Sequence, residues 1–377
     1  MMHSKILTFC YFLSVGLKIA ASDRKIVCYY GSWAVYRRGD GAFKVDDIDP
    51  RLCTHIIYSF VGIDQTGSIK ILDRRNDVDN GGFRRFNQLK SKNRQLKTLI
   101  AVGGWNEGSE RFSKMAENPA LRSNFIKSAM NLMNTYGFDG FDIDWEYPAQ
   151  RGGTPRDKAN LVTVVKEFRK AVGNRYLLSI ATGATANFIA SSYDVPSLSK
   201  YLDFINVMTY DLHGSWDQVT GANAPLIAAS GSSVSKCIEA WISNGASPAK
   251  LIMGIPVYGR TFTLSNPQVH GMGAPAPQPG LAGPFTVEAG MLGYNEVCLE
   301  LKTNQWNIVW YDAQKIPYAY KGNQWISYDN QRSVSSKVEY VKQHKLGGAM
   351  IWSIDTDDFR GKCGKKYPIL TTIKNGL

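Results

Sequence analysis

Short apolar runs rich in β-branched and aromatic residues recur along the chain, and between them the apolar positions shift to a helical period. A run of four to eight such residues closed by turn formers reads as a buried strand, whereas apolar positions three and four apart read as one face of a helix. Eight strands are predicted on this pattern, over Lys25–Gly31, His55–Ile63, Lys97–Gly104, Gly140–Tyr147, Leu177–Gly183, Phe204–Leu212, Leu251–Gly259 and Gly348–Asp355. Helical segments predicted between them include Ser109–Tyr136, Asp157–Val172, Val234–Ile242 and Ser333–Gln343. Strand–helix alternation implies a parallel sheet, and eight such units in one domain predict an α/β fold, the (β/α)8 or TIM barrel. The interval between strands seven and eight is longer than any other. Its excess, about residues 261–330, has apolar and turn-rich pieces of its own. It is expected to form a small α+β insertion packed on the top face of the barrel.

One strand is unlike the rest. Residues 138–148 read Phe-Asp-Gly-Phe-Asp-Ile-Asp-Trp-Glu-Tyr-Pro. Side chains alternate between faces along a strand, so Asp142, Asp144 and Glu146 share one face and Phe141, Ile143 and Trp145 the other. Asp139 falls out of register with these three acids and is expected to shape the start of the strand. Neighbours on one face lie roughly 6.6 Å apart, close enough for like charges to raise the pKa of at least one member. A carboxyl held protonated near neutral pH is what a general acid requires. A solvated acidic run would not alternate strictly with Phe, Ile and Trp. A calcium loop of the EF-hand type needs a Gly at its sixth position and a Glu at its twelfth, and neither is present. Three aligned acids with no cation nearby in sequence would also stabilise a core poorly.

In a barrel these acids fall at the C-terminal end of the fourth strand, the face that carries active sites in this architecture. Aromatic residues lie in or just after the other strands: Tyr29, Trp33, Phe60, Trp105, Tyr210, Tyr258 and Trp352. Any one of them alone is better explained as core. Together they describe a cleft floored and walled by rings. Rings stack on sugar faces, so the predicted ligand is a polysaccharide.

Bulk properties narrow the setting. At 377 residues, 44% hydrophobic and 20% charged, the chain fits one large globular domain or two ordinary ones. Lys5, the apolar run Ile6–Leu17 and the small residues Ala20-Ala21-Ser22 read as a secretory signal over 1–22. The mature chain, 23–377, is therefore expected outside the cell. No later apolar run is long enough to span a membrane. Of six cysteines, Cys10 leaves with the signal, and the remaining five allow two disulfides and one free thiol without fixing the pairs. No CxxC or metal-ligand spacing occurs, so neither a metal nor a cofactor is expected. The formal charge is +12, or +10 once Lys5 and Lys18 are removed. Its basic residues are scattered in pairs, with the densest cluster at Lys362–Lys366 and no long stripe, which argues against nucleic acid. No Asn-x-Ser/Thr site for N-glycosylation occurs.

The stretch Asp-Gly-Phe-Asp-Ile-Asp-Trp-Glu resembles the DGxDxDWE signature of glycoside hydrolase family 18, the chitinases. The mature chain resembles animal secreted chitinases over essentially its whole length. Supporting stretches run in the family's order: Cys28-Tyr29-Tyr30, Leu52-Cys53-Thr54-His55, Gly103-Gly104-Trp105-Asn106, Met208-Thr209-Tyr210-Asp211, Leu212-His213-Gly214-Ser215-Trp216, Pro256-Val257-Tyr258-Gly259-Arg260 and Gly347-Gly348-Ala349-Met350-Ile351-Trp352. The resemblance implies the same barrel with an α+β insertion. It implies that Glu146 donates a proton to the glycosidic oxygen, that Asp144 orients the substrate's N-acetyl group and steadies an oxazolinium ion, and that Asp142 lies deeper and shares a proton with Asp144. Tyr210 would hydrogen-bond the acetamido oxygen. Asp144 and Glu146 project from the same strand, so Asp144 is poorly placed to attack the far face of the sugar, and the substrate's own acetamido oxygen would take that role. This is a known exception to the two-carboxylate scheme.

The resemblance further implies a ring beneath the reacting sugar at Trp352 and stacking rings at Trp33, Trp105 and Trp216. Polar contacts would come from Asn106, Asp211, Tyr258 and Arg260, and pocket lining from Met208, Met350, Tyr29 and Phe60, with Gly104 and Tyr147 beside them. It also implies disulfides Cys28–Cys53 and Cys298–Cys363, leaving Cys237 as a buried thiol. The expected partners are chitin or N-acetylglucosamine oligomers, with no nucleic acid and no membrane, and the chain is expected to act as a monomer. The expected activity is endo-acting cleavage of β-1,4 linkages with retention. Two other readings are a catalytically weak chitin-binding lectin or signalling protein, and an enzyme of the same family acting on N-linked glycan cores. Silent members of the family usually lose the acid, whereas Glu146 is retained, and an aromatic cleft of several subsites suits a polymer. The sequence shows no cysteine-rich chitin-binding module, so soluble or amorphous chains are expected to be preferred over crystalline chitin.

Overall fold

Apolar runs that are buried on both faces form parallel strands covered by helices, and the described residues contain eight. In the computed structural model, which describes residues 24–303 and 305–377, they are β1 (Lys25–Gly31), β2 (His55–Ile63), β3 (Lys97–Gly103), β4 (Gly140–Asp144), β5 (Leu177–Gly183), β6 (Phe204–Met208), β7 (Leu251–Pro256) and β8 (Gly348–Trp352). Each pairs in parallel with its sequence neighbour, and β1 pairs with both β2 and β8, so the sheet closes into the predicted barrel. The expected signal over 1–22 lies outside the described residues. Among those residues no helix is long and apolar enough to cross a membrane.

The alternation on β4 divides as the sequence pattern requires. Phe141 points outward and packs against Phe125 and Phe168 of the helices Pro119–Tyr136 and Asp157–Val172, at 5.7 and 5.1 Å between ring centroids. Trp145 stacks on Phe112 at 5.1 Å. The opposite face turns into the barrel, where Asp142 meets side chains from three other strands. Asp139 accepts the Thr98 N–H at 2.8 Å and pairs with Lys90 at 3.0 Å, tying the strand's start to β3.

Several boundaries differ from expectation, for local reasons. The segment Ser109–Tyr136 is two helices, Glu110–Glu117 and Pro119–Tyr136. The break falls at Asn118, whose side chain accepts from the N–H groups of Ala120 and Leu121, with Pro119 at the first helical position. Strands three, four, six, seven and eight each end one to four residues early. Their last predicted residues have left the ladder to line the top of the barrel. Asp211, past β6, has a left-handed φ of 55°, and the run predicted as the end of strand seven is shared between two sheets.

The second sheet lies between β7 and β8. Its antiparallel strands are Tyr258–Thr263, Met291–Gly293, Asn307–Tyr311, Ile316–Lys321 and Gln324–Ser327, with a helix at Tyr294–Thr303 and a two-residue pairing at Gln278–Pro279. It begins at Tyr258, so Tyr258 and Arg260 belong to it and not to the barrel. One face buries Phe262, Tyr318 and Trp325, and the other Leu292, Val297 and Ile326. The sheet is joined to the following helix, Gln331–Gln343, by a buried ion pair in which Lys337 Nζ donates to both oxygens of Asp329 at 2.8 and 2.6 Å. Disulfides Cys28–Cys53 and Cys298–Cys363 are present, and Cys237 is a buried free thiol.

Candidate active site

A polar layer fills the top of the barrel. Asp142 is fully buried and accepts hydrogen bonds from the Tyr29 hydroxyl of β1 at 2.7 Å, the Ser179 hydroxyl of β5 at 2.5 Å and the Asn206 amide of β6 at 3.4 Å. Asn206 also donates to the Tyr29 hydroxyl at 3.1 Å. Burial pushes the Asp142 carboxyl up to about 6 against the lowering effect of these three donors. Among the described residues no hydrogen bond joins Asp142 to Asp144, so the two act on each other through space in this arrangement.

One level higher, Asp144 is buried, and its Oδ1 has no hydrogen-bond partner within the protein. Burial raises its pKa well above the usual carboxylate range, helped by the charges of Glu146 and Asp142. Its main-chain oxygen accepts the Gly104 N–H at 2.9 Å. Gly104 has φ +81°, and a Cβ there would lie 2.5 Å from the Phe60 ring, so only glycine fits between the strand end and that ring. Glu146 lies past the end of β4 and is partly open to the cleft. Burial pushes it up to about 7, the Tyr147 hydroxyl and Arg151 lower it, and Asp211 raises it. A glutamic acid raised to this range keeps a substantial protonated fraction at neutral pH and can both give and take a proton in a reaction.

Rings and polar groups flank the acids on two sides. On one side Trp352, Phe60 and Trp33 form a mutual cluster, with centroids 5.8 Å apart for Trp352–Phe60, 6.0 Å for Trp33–Phe60 and 6.1 Å for Trp33–Trp352. Tyr29 lies 5.5 Å from Trp352. On the other side Asp211 accepts from Nε and Nη2 of Arg260 at 2.7 and 2.8 Å and from the Tyr258 hydroxyl at 2.7 Å. The Arg260 guanidinium in turn lies 5.1 Å over Trp216, a ring 56% exposed. Between them Tyr210 stands 6.1 Å from Tyr258, with its hydroxyl against Met350 Sδ at 3.8 Å.

Trp105 and Asn106 sit apart from both groups, on the exposed loop after β3. Trp105 is tied in by Arg151, whose guanidinium covers its ring at 3.5 Å and donates to the main-chain oxygens of Trp105 and Glu146 at 2.8 and 2.9 Å. Tyr147 packs on Phe188 at 4.3 Å, and Met208 ends β6 opposite Gly183.

Four contributors are not among the residues that the sequence pattern singles out. Ser179 and Asn206 are polar residues at inward positions of otherwise apolar strands, which is a readable signal. Arg151 and Asn223 carry none. Asn223 is buried, accepts the Asp211 N–H at 2.8 Å and donates to the Tyr258 carbonyl at 3.2 Å, so it joins the barrel loop to the second sheet.

The site offers carboxylates, hydroxyls and rings, and no set of metal donors. Among the described residues one group of potential ligands comes together, Cys298, Asp358 and Cys363. Its two sulfurs are bonded to each other, and the carboxylate is occupied by the N–H groups of Lys362 and Cys363.

Comparison with known proteins places this geometry. The chain is 41% identical over 360 residues to probable chitinase 2 of Drosophila melanogaster, covering 90% of this chain and 74% of that one. It is 41% identical over 371 residues to probable chitinase 10 of the same fly, covering 94% of this chain but only 16% of that much longer protein. The crystal structure of the Ostrinia furnacalis Group IV chitinase superposes with a TM-score of 0.92 at 46% identity, over 94% of this chain and 99% of that one. Human YKL-39, described as a pseudo-chitinase with retained chitooligosaccharide binding, superposes with a TM-score of 0.87 at 38% identity, over 94% and 99%. The family profile described as Glycosyl hydrolases family 18 matches residues 25–357, and with the acid-lined barrel top in place the chain belongs to that family.

Proposed function

We propose that this protein is a secreted, monomeric chitinase that cleaves β-1,4 linkages between N-acetylglucosamine units from within the chain, with retention. The observation that carries this reading is the vertical order of acids along and just past β4: Asp142 held by three hydrogen bonds, Asp144 with an unpaired oxygen, and Glu146 at the cleft with its pKa pushed up to about 7. In the proposed reaction a sugar lies on Trp352, and Glu146 gives its proton to the glycosidic oxygen as the C1–O bond breaks. The acetamido oxygen of the same sugar attacks C1 from the opposite face. Asp144 Oδ1 accepts the acetamido N–H, and the Tyr210 hydroxyl steadies the acetamido oxygen. The resulting oxazolinium is opened by water, which loses its proton to the Glu146 carboxylate, restoring the acid. No protein nucleophile is needed, and two inversions give net retention.

The rings that flank the acids, Trp33 and Phe60 on one side and Trp216 on the other, with Trp105 exposed on the loop after β3, suit a polymer that runs through the site, which supports internal cleavage. The similarity to YKL-39 favours one other reading, a protein that binds chitooligosaccharides without cleaving them. Hydrolysis of N-acetylglucosamine hexamer by the wild type and Glu146→Gln separates the two. The proposal expects cleavage by the wild type and a loss of about 10²–10⁴ in kcat in the variant, with binding retained. A wild type that binds the hexamer and releases no product means that the lectin reading holds, and equal rates would remove Glu146 from its role.

A further inference from the structure

Trp33 rides on a turn, not a strand. It lies in the short 3-10 helix Ser32–Tyr36 after β1, which has no side-chain cap, and the ring is 43% exposed. Within the turn the Ser32 and Ala34 carbonyls accept from the Asn76 amide at 3.4 Å and the Phe43 N–H at 3.0 Å, and the Tyr36 hydroxyl donates to Asp73 at 2.6 Å. The two ends of the turn are held by a buried carboxylate. Asp355 follows β8 in the 3-10 turn Ile354–Thr356, three residues after Trp352, and is fully buried. Its Oδ1 accepts the Gly31 N–H at 2.9 Å. Its Oδ2 lies 2.7 Å from Arg37 Nη1, an ionic contact and not an aligned hydrogen bond. The same nitrogen donates to the Asp355 main-chain oxygen at 3.0 Å.

Gly31 and Arg37 are the residues on either side of the turn. One carboxylate therefore grips both ends of the segment that carries Trp33 and fastens it to the end of the strand that carries Trp352. A buried ion pair is poor evidence for stability, because desolvation offsets its attraction, and fixing a register is its better-attested use.

We propose that Arg37 and Asp355 are a positioning pair that holds Trp33 in line with Trp352 and so sets how tightly the cleft grips sugars on that side of the acids. The proposal rests on the sugar-polymer reading above. Neither group faces Asp144 or Glu146 through any hydrogen bond or ion pair among the described residues, so the pair acts through the platform and not on the reacting atoms.

The test compares a short aryl chitobioside with N-acetylglucosamine hexamer, using the wild type, Arg37→Met and Arg37→Lys. Hexamer binding is measured separately by calorimetry. Arg37→Met is expected to raise the KM and Kd for hexamer about tenfold, the scale of one lost ring contact, while kcat on either substrate and KM for the short one change by less than about twofold. Arg37→Lys, which keeps the charge but not the geometry, should fall between. An equal loss on both substrates, or no change in hexamer binding in a variant of unaltered Tm, overturns the proposal. If Arg37→Met does not fold, Arg37→Lys carries the same comparison. A wild type that binds hexamer without cleaving it would defeat the hydrolase reading, and the Kd comparison would still decide the pair.

Discussion

The Ser179 hydroxyl, 2.5 Å from Asp142, shows how single residues set the chemistry of this site. Its hydrogen bond favours the charged carboxylate and holds down a pKa that burial has pushed up to about 6. Removing it with Ser179→Ala raises that pKa further, because a donor to the ionised form is lost. In the proposed mechanism the Asp142–Asp144 pair must carry negative charge to support a cationic intermediate, so the acid limb of kcat/KM should move to higher pH. Glu146 must be protonated, so activity should fall as pH rises past about 7, and that limb should stay in place in the variant. A pH profile of both proteins checks this, and an unmoved acid limb would separate Ser179 from the site's ionisation. Much at this scale is legible in the sequence. Strict alternation alone puts Asp142, Asp144 and Glu146 on one face, because strand parity is a local property. Asn223 is not legible, because its partners, Asp211 and Tyr258, come from two other segments that only the folded chain brings together.

At the level of elements, the second sheet supplies Tyr258 and Arg260, and so must be held firmly on the barrel. The Asp329–Lys337 pair joins the end of its last strand to the next helix, with both side chains out of solvent. Lys337→Met would strand a buried carboxylate that keeps only the Ser333 hydroxyl as a side-chain donor. A loss of about 3–5 kcal/mol in unfolding free energy is expected. The double variant with Asp329→Leu should recover most of it, because two apolar groups leave no charge uncompensated. Urea unfolding measures both, and a single variant as stable as the wild type would show that the site is wetter than the packing indicates. The strand centres are readable from their apolar runs. Their C-terminal ends are not, because an apolar or aromatic residue that leaves the ladder for the cleft looks in sequence like one more residue of strand. The break at Asn118 escapes the pattern for a different reason: the apolar period continues across it, and only the cap and Pro119 mark the interruption.

For the whole molecule, the eightfold alternation of strand and helix points to a barrel, and the pairing of β1 with both β2 and β8 closes it. The start of the second sheet is harder to read, because Leu251–Thr263 is nearly continuous in apolar and aromatic residues while belonging to two sheets. The disulfide pairs lie beyond what spacing can decide and come only through resemblance. The proposed secretion through an oxidising compartment gives a direct expectation for the cysteines. The mature protein should show no accessible thiol when native and one after denaturation, since Cys237 is buried and its pKa is pushed up to about 12 by burial alone. Thiol titration in the presence and absence of denaturant measures this, and three or more thiols after unfolding would contradict it.

In the proposed mechanism the substrate, and not the protein, supplies the nucleophile. The most direct measurement is kcat on a saturating tetramer of N-acetylglucosamine against the same tetramer stripped of its acetyl groups. Substrate-assisted catalysis requires rapid cleavage of the first and none measurable of the second. Comparable turnover of both would mean that a protein carboxylate attacks the sugar, and would rule this mechanism out.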